Sequence, residues 1–488
     1  MRLKELLPET GGYALTGPPE IDIRGLTDDS RLVQPGWLFA CLRGLKDNGC
    51  RFIPEAAARG ASALLTEEAI AAGGLAVVTV PDTRLSLSLM ACAFYNHPSR
   101  LLKLYGITGT NGKTTTSMMV EWILNACGCP TGLIGTIQIR YGDRRFPARH
   151  TTPGPVEFQK HLDAMVKTGM RACTAEISSH ALAQKRVAGA KFAGAILTNI
   201  ERDHFDYHLT YQAYLAAKTA LFSMLPAGDG LAVLNHDDPV SLEIKPSCRC
   251  AVVTYGLKRG ADLRGSIGWS GPDRQLLEVE WPGTRSGFCL PMPGNGNAAN
   301  ALAALALVAA AGTNLEDACQ ALSSFPGLPG RFEGIDCGQP FTVLVDYAHN
   351  PAALRQILDT VRPHTNGRVI VVFGCEGEKD KGKRPLMGEI AAQAADHAII
   401  TCDNLHREEA WPIFSQIREG FFKGRRGRRP PYRLLFSRRE AINRALRMAG
   451  AGDTVIIAGK GHESHLIIGD QALPFDDRQV VREILNGL

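Results

Sequence analysis

The sequence predicts an α/β protein of three domains, the last of them a doubly wound sheet. Three observations predict it. After about residue 330, short apolar runs alternate with helical segments, the pattern of a parallel sheet covered on both faces. A glycine-rich run, GITGTNGKTTT (Gly106–Thr116), joins a candidate strand to a candidate helix. And 488 residues exceed what one ordinary core covers.

In the first hundred residues the segments are short. Ala-rich stretches at Glu55–Gly60 and Leu85–Phe94 read as helices. His97-Pro98-Ser99 is a break just before the apolar stretch Leu101–Tyr105, so the first domain is set at 1–97. The second, 98–329, is mixed. It has candidate strands at Leu133–Ile139 and Ala195–Asn199 and candidate helices at Val156–Thr168 and Tyr211–Leu225. It ends in Phe325-Pro-Gly-Leu-Pro-Gly330, where four of six residues are Pro or Gly. In the third, 330–488, Thr342–Asp346, Val369–Phe373, His397–Thr401 and Thr454–Ala458 are runs of about strand length. Helical segments lie between most of them, which is the doubly wound, Rossmann-like arrangement.

Composition excludes several classes. Apolar residues make up 45% and charged residues 21%, ordinary for a globular protein. A net charge of +5 is too small for a chain coated in nucleic acid. The one basic run, Lys423–Arg429, reads as a solvated loop. There is no run of eighteen apolar residues, so no membrane insertion is expected. The opening MRLKELLPETGG lacks the apolar core of a signal peptide, and a cytoplasmic protein is expected. Thirteen cysteines are an odd number at irregular spacing. Cys127/Cys129 and Cys248/Cys250 lack zinc-knuckle spacing, and Cys173, Cys337 and Cys402 sit in apolar context. Buried, reduced thiols are expected.

The glycine run points to phosphate. Gly112-Lys113-Thr114 matches the end of a phosphate loop, but the opening glycine, Gly106, is one residue early, and Gly109 lies inside. The physics survives the shift, because glycines let the backbone wrap phosphates and a helix N-terminus adds positive potential. Lys113 is placed for the β and γ phosphates and Thr114 for Mg2+. A motor, a switch, a kinase and a bond-forming enzyme all remain open on the loop alone. Glu176–His180 and Thr198–His208 each follow an apolar segment. Both put carboxylate and imidazole just beyond a strand end, where ligands sit in α/β sheets. A hard cation bridging nucleotide phosphates needs such oxygen ligands.

GITGTNGKTTT, TNIERDHFDYH, LNHDD, GRFE, DYAHNP and GKGHE occur in this order. Together they resemble the Mur ligases, the ATP-dependent amino-acid-adding enzymes of peptidoglycan synthesis. DDSRLVQPGWLFACLRG (Asp28–Gly44) and HTTPGPVEFQ (His150–Gln159) look like the branch that adds the third residue to UDP-N-acetylmuramoyl-L-alanyl-D-glutamate. The resemblance covers nearly the whole chain. It implies the family's three-domain architecture, with a central P-loop-type ATPase domain and an amino-acid-binding C-terminal domain. It also implies an acyl-phosphate intermediate, and a monomer is expected. Gly109, Thr110, Asn111, Gly112, Lys113, Thr114 and Thr115, with Asp346, His349 and Asn350, match the ATP side. Thr114, Glu176 and His204 match metal-binding positions, and Lys113, Glu176, His204 and Lys218 the catalytic set. Lys218 matches a carbamylated lysine, N6-carboxylysine, whose carbamate is an oxygen ligand where an ammonium would repel Mg2+. Ser30, Thr151, Thr152, Ser178, Gln184 and Arg186 match contacts to the UDP-muramoyl dipeptide. Lys379, Asp403, Asn404, His406, Arg407, Gly459 and Glu463 are the expected amino-acid set.

Two departures fall in that last set. Enzymes that use meso-diaminopimelate carry D-N-P-R where this chain has Asp403-Asn404-Leu405-His406, and G-D-R-D where it has Gly377-Glu378-Lys379-Asp380. Lys and His cannot grip a carboxylate with two parallel bonds as Arg does. Diaminopimelate, the commonest third residue in bacteria, is the expected substrate, with L-lysine or another amino acid as the alternative. Gly296 stands where the family usually has Phe. A folylpolyglutamate synthetase-like ligase is the rival within amide formation, and DDSRLVQPG speaks against it. A motor or kinase leaves the C-terminal motifs without a task. A non-catalytic sugar-nucleotide binder does not need Lys113, Glu176, His204 and Lys218.

Overall fold

A computed structural model describes residues 1–7, 12–44, 47–70, 73–424, 427 and 430–487. It contains three large sheets. The first has five strands, Ala14–Thr16, Ala76–Thr79, Ala63–Thr66, Trp37–Ala40 and Gly25–Thr27, side by side in that order. All neighbours are parallel except the edge strand Ala14–Thr16. The helix Thr83–Phe94 buries Leu87, Met90 and Ala91 in the same core as Leu38, Ala63, Leu65 and Val78.

The second sheet has eleven strands. Its middle is parallel: Thr131–Ile134, Ala172–Glu176, Lys103–Thr108, Gly194–Leu197, Leu231–Asn235 and Ala251–Gly256 lie in that order. Antiparallel strands extend both sides. One core lies on each face. Lys113–Ala126 and Asn295–Ala310 fill one with Met119, Ile123, Leu302 and Leu305. Pro155–Lys167 and Tyr211–Ser223 fill the other with Phe158, Leu162, Tyr214 and Phe222. Register places the strand ends together: Glu176 pairs with Ile107, and Leu197 with Thr108. Three loops therefore leave one edge of the sheet side by side.

The third sheet runs Glu333–Gly334, Thr342–Asp346, Thr454–Ala458, Val369–Phe373, His397–Thr401 and Tyr432–Leu435, parallel but for the first. Cores on both faces make it doubly wound. Its four long strands fall on the four expected apolar runs. Beneath their C-terminal ends the Arg438 guanidinium is wholly buried against Asp477, at 2.6 and 2.8 Å, and donates to Ala458 O.

Elsewhere the expectation needs correction. Leu133–Ile139 is two strands, Thr131–Ile134 and Gln138–Tyr141, because the chain turns at Gly135. The thirteen thiols are free, but only six are buried; six are half-buried, and Cys337 is exposed in a polar turn. Arg425, Arg426, Arg428 and Arg429 of the basic run lie outside the described residues. Gly296 has a reason: a Cβ in that first helical turn would strike the Gln356 side chain, which reaches across from Pro351–Val361. Among the described residues no helix is long and apolar enough to cross a membrane.

Candidate active site

A cleft of about 570 Å3 opens where the C-terminal edges of the second and third sheets face each other. Behind Thr136 at one end, reached through Glu176 and Thr114, lies the glycine turn, whose residues do not themselves line the cleft. Gly109 (φ 147°) and Gly112 (φ 83°) hold conformations that other residues rarely adopt. A Cβ on Gly109 would also strike the Thr198 hydroxyl, and one on Gly112 the Asn300 amide. Asn111 N donates to Asn199 Oδ1 at 2.9 Å, and the Thr110 hydroxyl lies 2.9 Å from that of Tyr214. The turn is thus held from three sides before any ligand arrives. Lys113 opens the next helix and its Nζ donates to Gly109 O and Thr110 O at 2.8 and 2.9 Å. Burial pushes its pKa down. The Thr114 hydroxyl donates to Glu176 Oε2 at 2.8 Å, and Thr136 donates to both Glu176 oxygens. Thr115 is buried behind them in the same first turn.

Lys218 is buried, with Nζ 2.7 Å from Gly109 O and 4.7 Å from the centre of the Tyr214 ring. It is not a surface lysine. Burial, then the charge of Lys113, drives its pKa well below the ordinary value. His204 sits at φ 56° and ψ 30°, a left-handed conformation uncommon outside glycine. Its imidazole meets that of His180 edge to face at 4.8 Å. Burial pushes His204 down to about 3 and His180 to about 4, so both are neutral near pH 7. Asp203 has both His204 and His349 within 4 Å. Burial would raise its pKa, but those imidazoles and Lys383 hold it below the ordinary value.

Thr114 and Glu176 fit a hard cation in one respect: a hydroxyl and a carboxylate oxygen converge beside a lysine-bearing turn. Among the described residues no three His, Cys, Asp or Glu gather as a metal cluster. Remaining ligands would come from phosphates, water or a modified Lys218.

The third domain closes on this end. Asn111 and Asn350 exchange amide hydrogen bonds, at 2.9 Å in the closer direction, and Asn350 also caps Pro351–Val361. Arg331 donates to the Thr114 hydroxyl at 3.4 Å and lies over the Tyr347 ring. Arg202 pairs with Asp380 at 3.2 Å. Asp346 accepts from Phe332 N, and His349 Nδ1 lies 2.8 Å from Tyr347 O.

Along the cleft wall, Thr152 donates to Glu176 O and accepts from Ser178 N. Arg186 reaches Thr152 O at 2.9 Å and Gln184 Oε1 at 2.8 Å. Thr151, Thr152, Ser178 and Arg186 line the cleft. Ser30 does not; its hydroxyl donates to Glu55 at 2.7 Å in the first domain. Ser88 of that domain donates to Arg186 O and Ala188 O, and Asp82 pairs with Lys185, so that domain flanks this wall.

At the far end Lys379, Asp403, Asn404, Gly459 and Glu463 line the cleft. Lys460, fully buried, donates to Asn404 Oδ1 and Glu463 Oε2, and Asn404 Nδ2 donates to the same Glu463 oxygen. Burial raises Glu463. Burial opposes ionisation of Asp403 too, but Arg438 and Lys460 hold it below the ordinary value. Two expected members do not line the cleft. At His406 the chain takes φ 50° and its N–H turns to Ile467 O. Its ring lies behind Glu376, with Nε2 2.8 Å from Oε1. Arg407 then points to solvent and grips Asp470.

Sequence reasoning gave no individual role to Asp203, His180, Arg331, Lys383 or Glu376. The first three lay in or beside motifs already singled out. Lys383, buried at the start of its helix and lining the cleft, and Glu376 carried no signal of their own.

Residues 107–308 match the Mur ligase middle domain, 330–461 the glutamate ligase domain of Mur ligase, and 22–95 the Mur ligase family, catalytic domain. A relative from Gloeobacter violaceus, named UDP-N-acetylmuramoyl-L-alanyl-D-glutamate--2,6-diaminopimelate ligase, is 42% identical, over 100% of this chain and 98% of its own. One of the same name from Geobacillus thermodenitrificans is 40% identical, over 99% of each. A solved structure bearing that name is 30% identical, with a TM-score of 0.69 over 100% of this chain and 99% of its own.

Proposed function

This chain belongs to the Mur ligase family, and from that premise we propose that it joins meso-2,6-diaminopimelate to UDP-N-acetylmuramoyl-L-alanyl-D-glutamate, converting ATP to ADP and phosphate. The observation that carries this reading is one cleft lined at one end by the amino-acid-type residues Lys379, Asp403, Asn404 and Glu463 and backed at the other, through Thr136 and Glu176, by the phosphate-type turn. The muramoyl-type residues Thr151, Thr152, Ser178 and Arg186 stand along its wall. The domain division 1–97, 98–329 and 330–488 is part of the reading, supported by the three sheets. So are a monomer, a cytoplasmic location, and a role in the wall synthesis that underlies cell shape, division and the cell cycle.

An amide does not form from a carboxylate and an amine in water without activation. The glutamyl carboxylate attacks the γ-phosphorus, ADP leaves, and an acyl phosphate remains. The amine then adds to the acyl carbon, and the tetrahedral adduct collapses with loss of phosphate and a proton. The protein's share is placement and charge. Lys113, whose Nζ rests on Gly109 O and Thr110 O inside the turn, neutralises charge on the transferred phosphoryl group in this reading. Thr114 and Glu176 are the proposed holders of Mg2+, with His204 and Lys218 completing the set. Bound there, the cation would supply charge neutralisation between the phosphates. A neutral, buried Lys218 amine is the form that adds CO2, which supports N6-carboxylysine. Arg331, Asn350 and Arg202 bring the third domain onto the nucleotide end, excluding water from the acyl phosphate.

The test is ADP release with each substrate omitted in turn. Release that requires the nucleotide sugar and an amino acid together is expected. Release indifferent to both overturns the reading.

A further inference from the structure

Glu376 stands on the loop after Val369–Phe373, and its side chain lines the amino-acid end of the cleft beside Lys379, Asp403 and Glu463. The other acids there are engaged. Asp380 pairs with Arg202, Glu463 with Lys460 and Asn404, and Asp403 accepts from the N–H of Asn404. Glu376 differs in having no lysine or arginine paired with it: Oε1 meets His406 Nε2 at 2.8 Å, and Oε2, like Glu463 Oε1 and Asp403 Oδ2, has no hydrogen-bond partner among the described residues. The Glu376 side chain is 30% exposed, so it stands at the wall and not in the core, with His406 behind it. Three positions along the same loop, Lys379 is exposed, lines the cleft and makes no ion pair among the described residues.

One loop thus offers an anion and a cation to the same space. The far end of diaminopimelate carries an ammonium and a carboxylate on one carbon, which that pair matches. We infer that Glu376 is a specificity-determining residue that receives the distal ammonium of the incoming amino acid, with His406 as the positioning residue that holds it. This rests on the ligase reading above. Lys379 then meets the distal carboxylate, as a point charge and not a fork.

Three amino acids separate the roles. Diaminopimelate carries both distal groups, L-lysine only the ammonium, and 2-aminopimelate only the carboxylate. kcat/KM is measured for each with full-length wild type, Glu376→Gln, Glu376→Ala and His406→Ala. Wild type should use lysine better than 2-aminopimelate. Glu376→Gln should lower diaminopimelate and lysine by about tenfold each, the scale of one charge-assisted hydrogen bond, and leave 2-aminopimelate unchanged or improved. His406→Ala should do the same by a smaller factor, and His406→Gln, which keeps an N–H donor, should restore part of it. A uniform loss on all three amino acids in both Glu376 variants, or no loss on any, overturns the inference. Wild type that releases no ADP with any amino acid overturns the ligase reading instead.

Discussion

The two ends of the cleft are built differently. Behind the end proposed for the nucleotide the groups bind one another. Thr114, Thr136 and Glu176 form a closed set, and both lysines are tied to Gly109 O. At the end proposed for the amino acid, Lys460, Asn404 and Glu463 form a similar set, but Glu376 has no lysine or arginine paired with it and Lys379 makes no ion pair among the described residues. The difference follows from the chemistry. Phosphoryl transfer is the same whatever amino acid is added, so its residues can be interlocked and rigid. Recognition of a side chain must leave donors and acceptors free for the ligand.

The comparison breaks first if the interlocked end tolerates substitution. Lys113→Ala should cost at least ~3 kcal/mol of barrier, roughly a hundredfold or more in kcat, with an unchanged circular dichroism spectrum. A variant with half the wild-type rate removes Lys113 from phosphoryl contact. Lys218→Ala should fall by a similar factor. Short carboxylic acids should recover part of its activity, because a bound acid can occupy the place of a carbamate. Full activity without added acid refutes the modified lysine.

These residues were legible in the sequence because their positions follow from strand ends. Apolar runs locate strands, a parallel sheet puts ligands beyond their C-terminal ends, and Lys113, Glu176 and His204 stand there. The four strands of the third sheet were legible for the same reason, since each is buried on both faces. Leu133–Ile139 was misread because an apolar run does not reveal a reversal at one glycine. The amino-acid end was legible by residue type but not by direction. Glu378 and His406 adopt φ 56° and 50° without being glycine, and such turns decide which neighbour faces the cleft. His406 and Arg407 were expected inside for that reason, while Glu376 was overlooked.

The interlocked end also makes a prediction about acid. Burial lowers His180, His204 and His349 from their ordinary pKa. Below about pH 6.5 the unfolded chain binds protons on these imidazoles and the native chain does not, until about pH 4 for His180 and about pH 3 for His204. The unfolded state therefore binds more protons across that window, and stability rises with pH. Tm should fall by several degrees between about pH 7 and pH 5. His180→Phe, which removes one such proton site, should make that fall shallower. An equally steep fall in the variant would assign the acid sensitivity to other groups.

The smallest effect is expected at the open end, from Lys379. Its ammonium is exposed and unpaired among the described residues, so water and salt screen it. A single contact from it to a distal carboxylate is worth on the order of 0.5–1 kcal/mol. Arg407 cannot add to it, because its guanidinium is turned away onto Asp470. His406 faces Glu376, not the cleft. Discrimination between diaminopimelate and L-lysine then rests on one flexible cation, and a preference of only about three- to fivefold is expected on that scale. Lys379→Ala should bring the two amino acids to near parity by lowering kcat/KM for diaminopimelate alone, and Lys379→Arg, which restores a fork, should widen the preference. Raising ionic strength should narrow it in the wild type. A wild-type preference above about a hundredfold that survives Lys379→Ala would mean that the distal carboxylate is read by another group, and the open end would have to be redrawn around it.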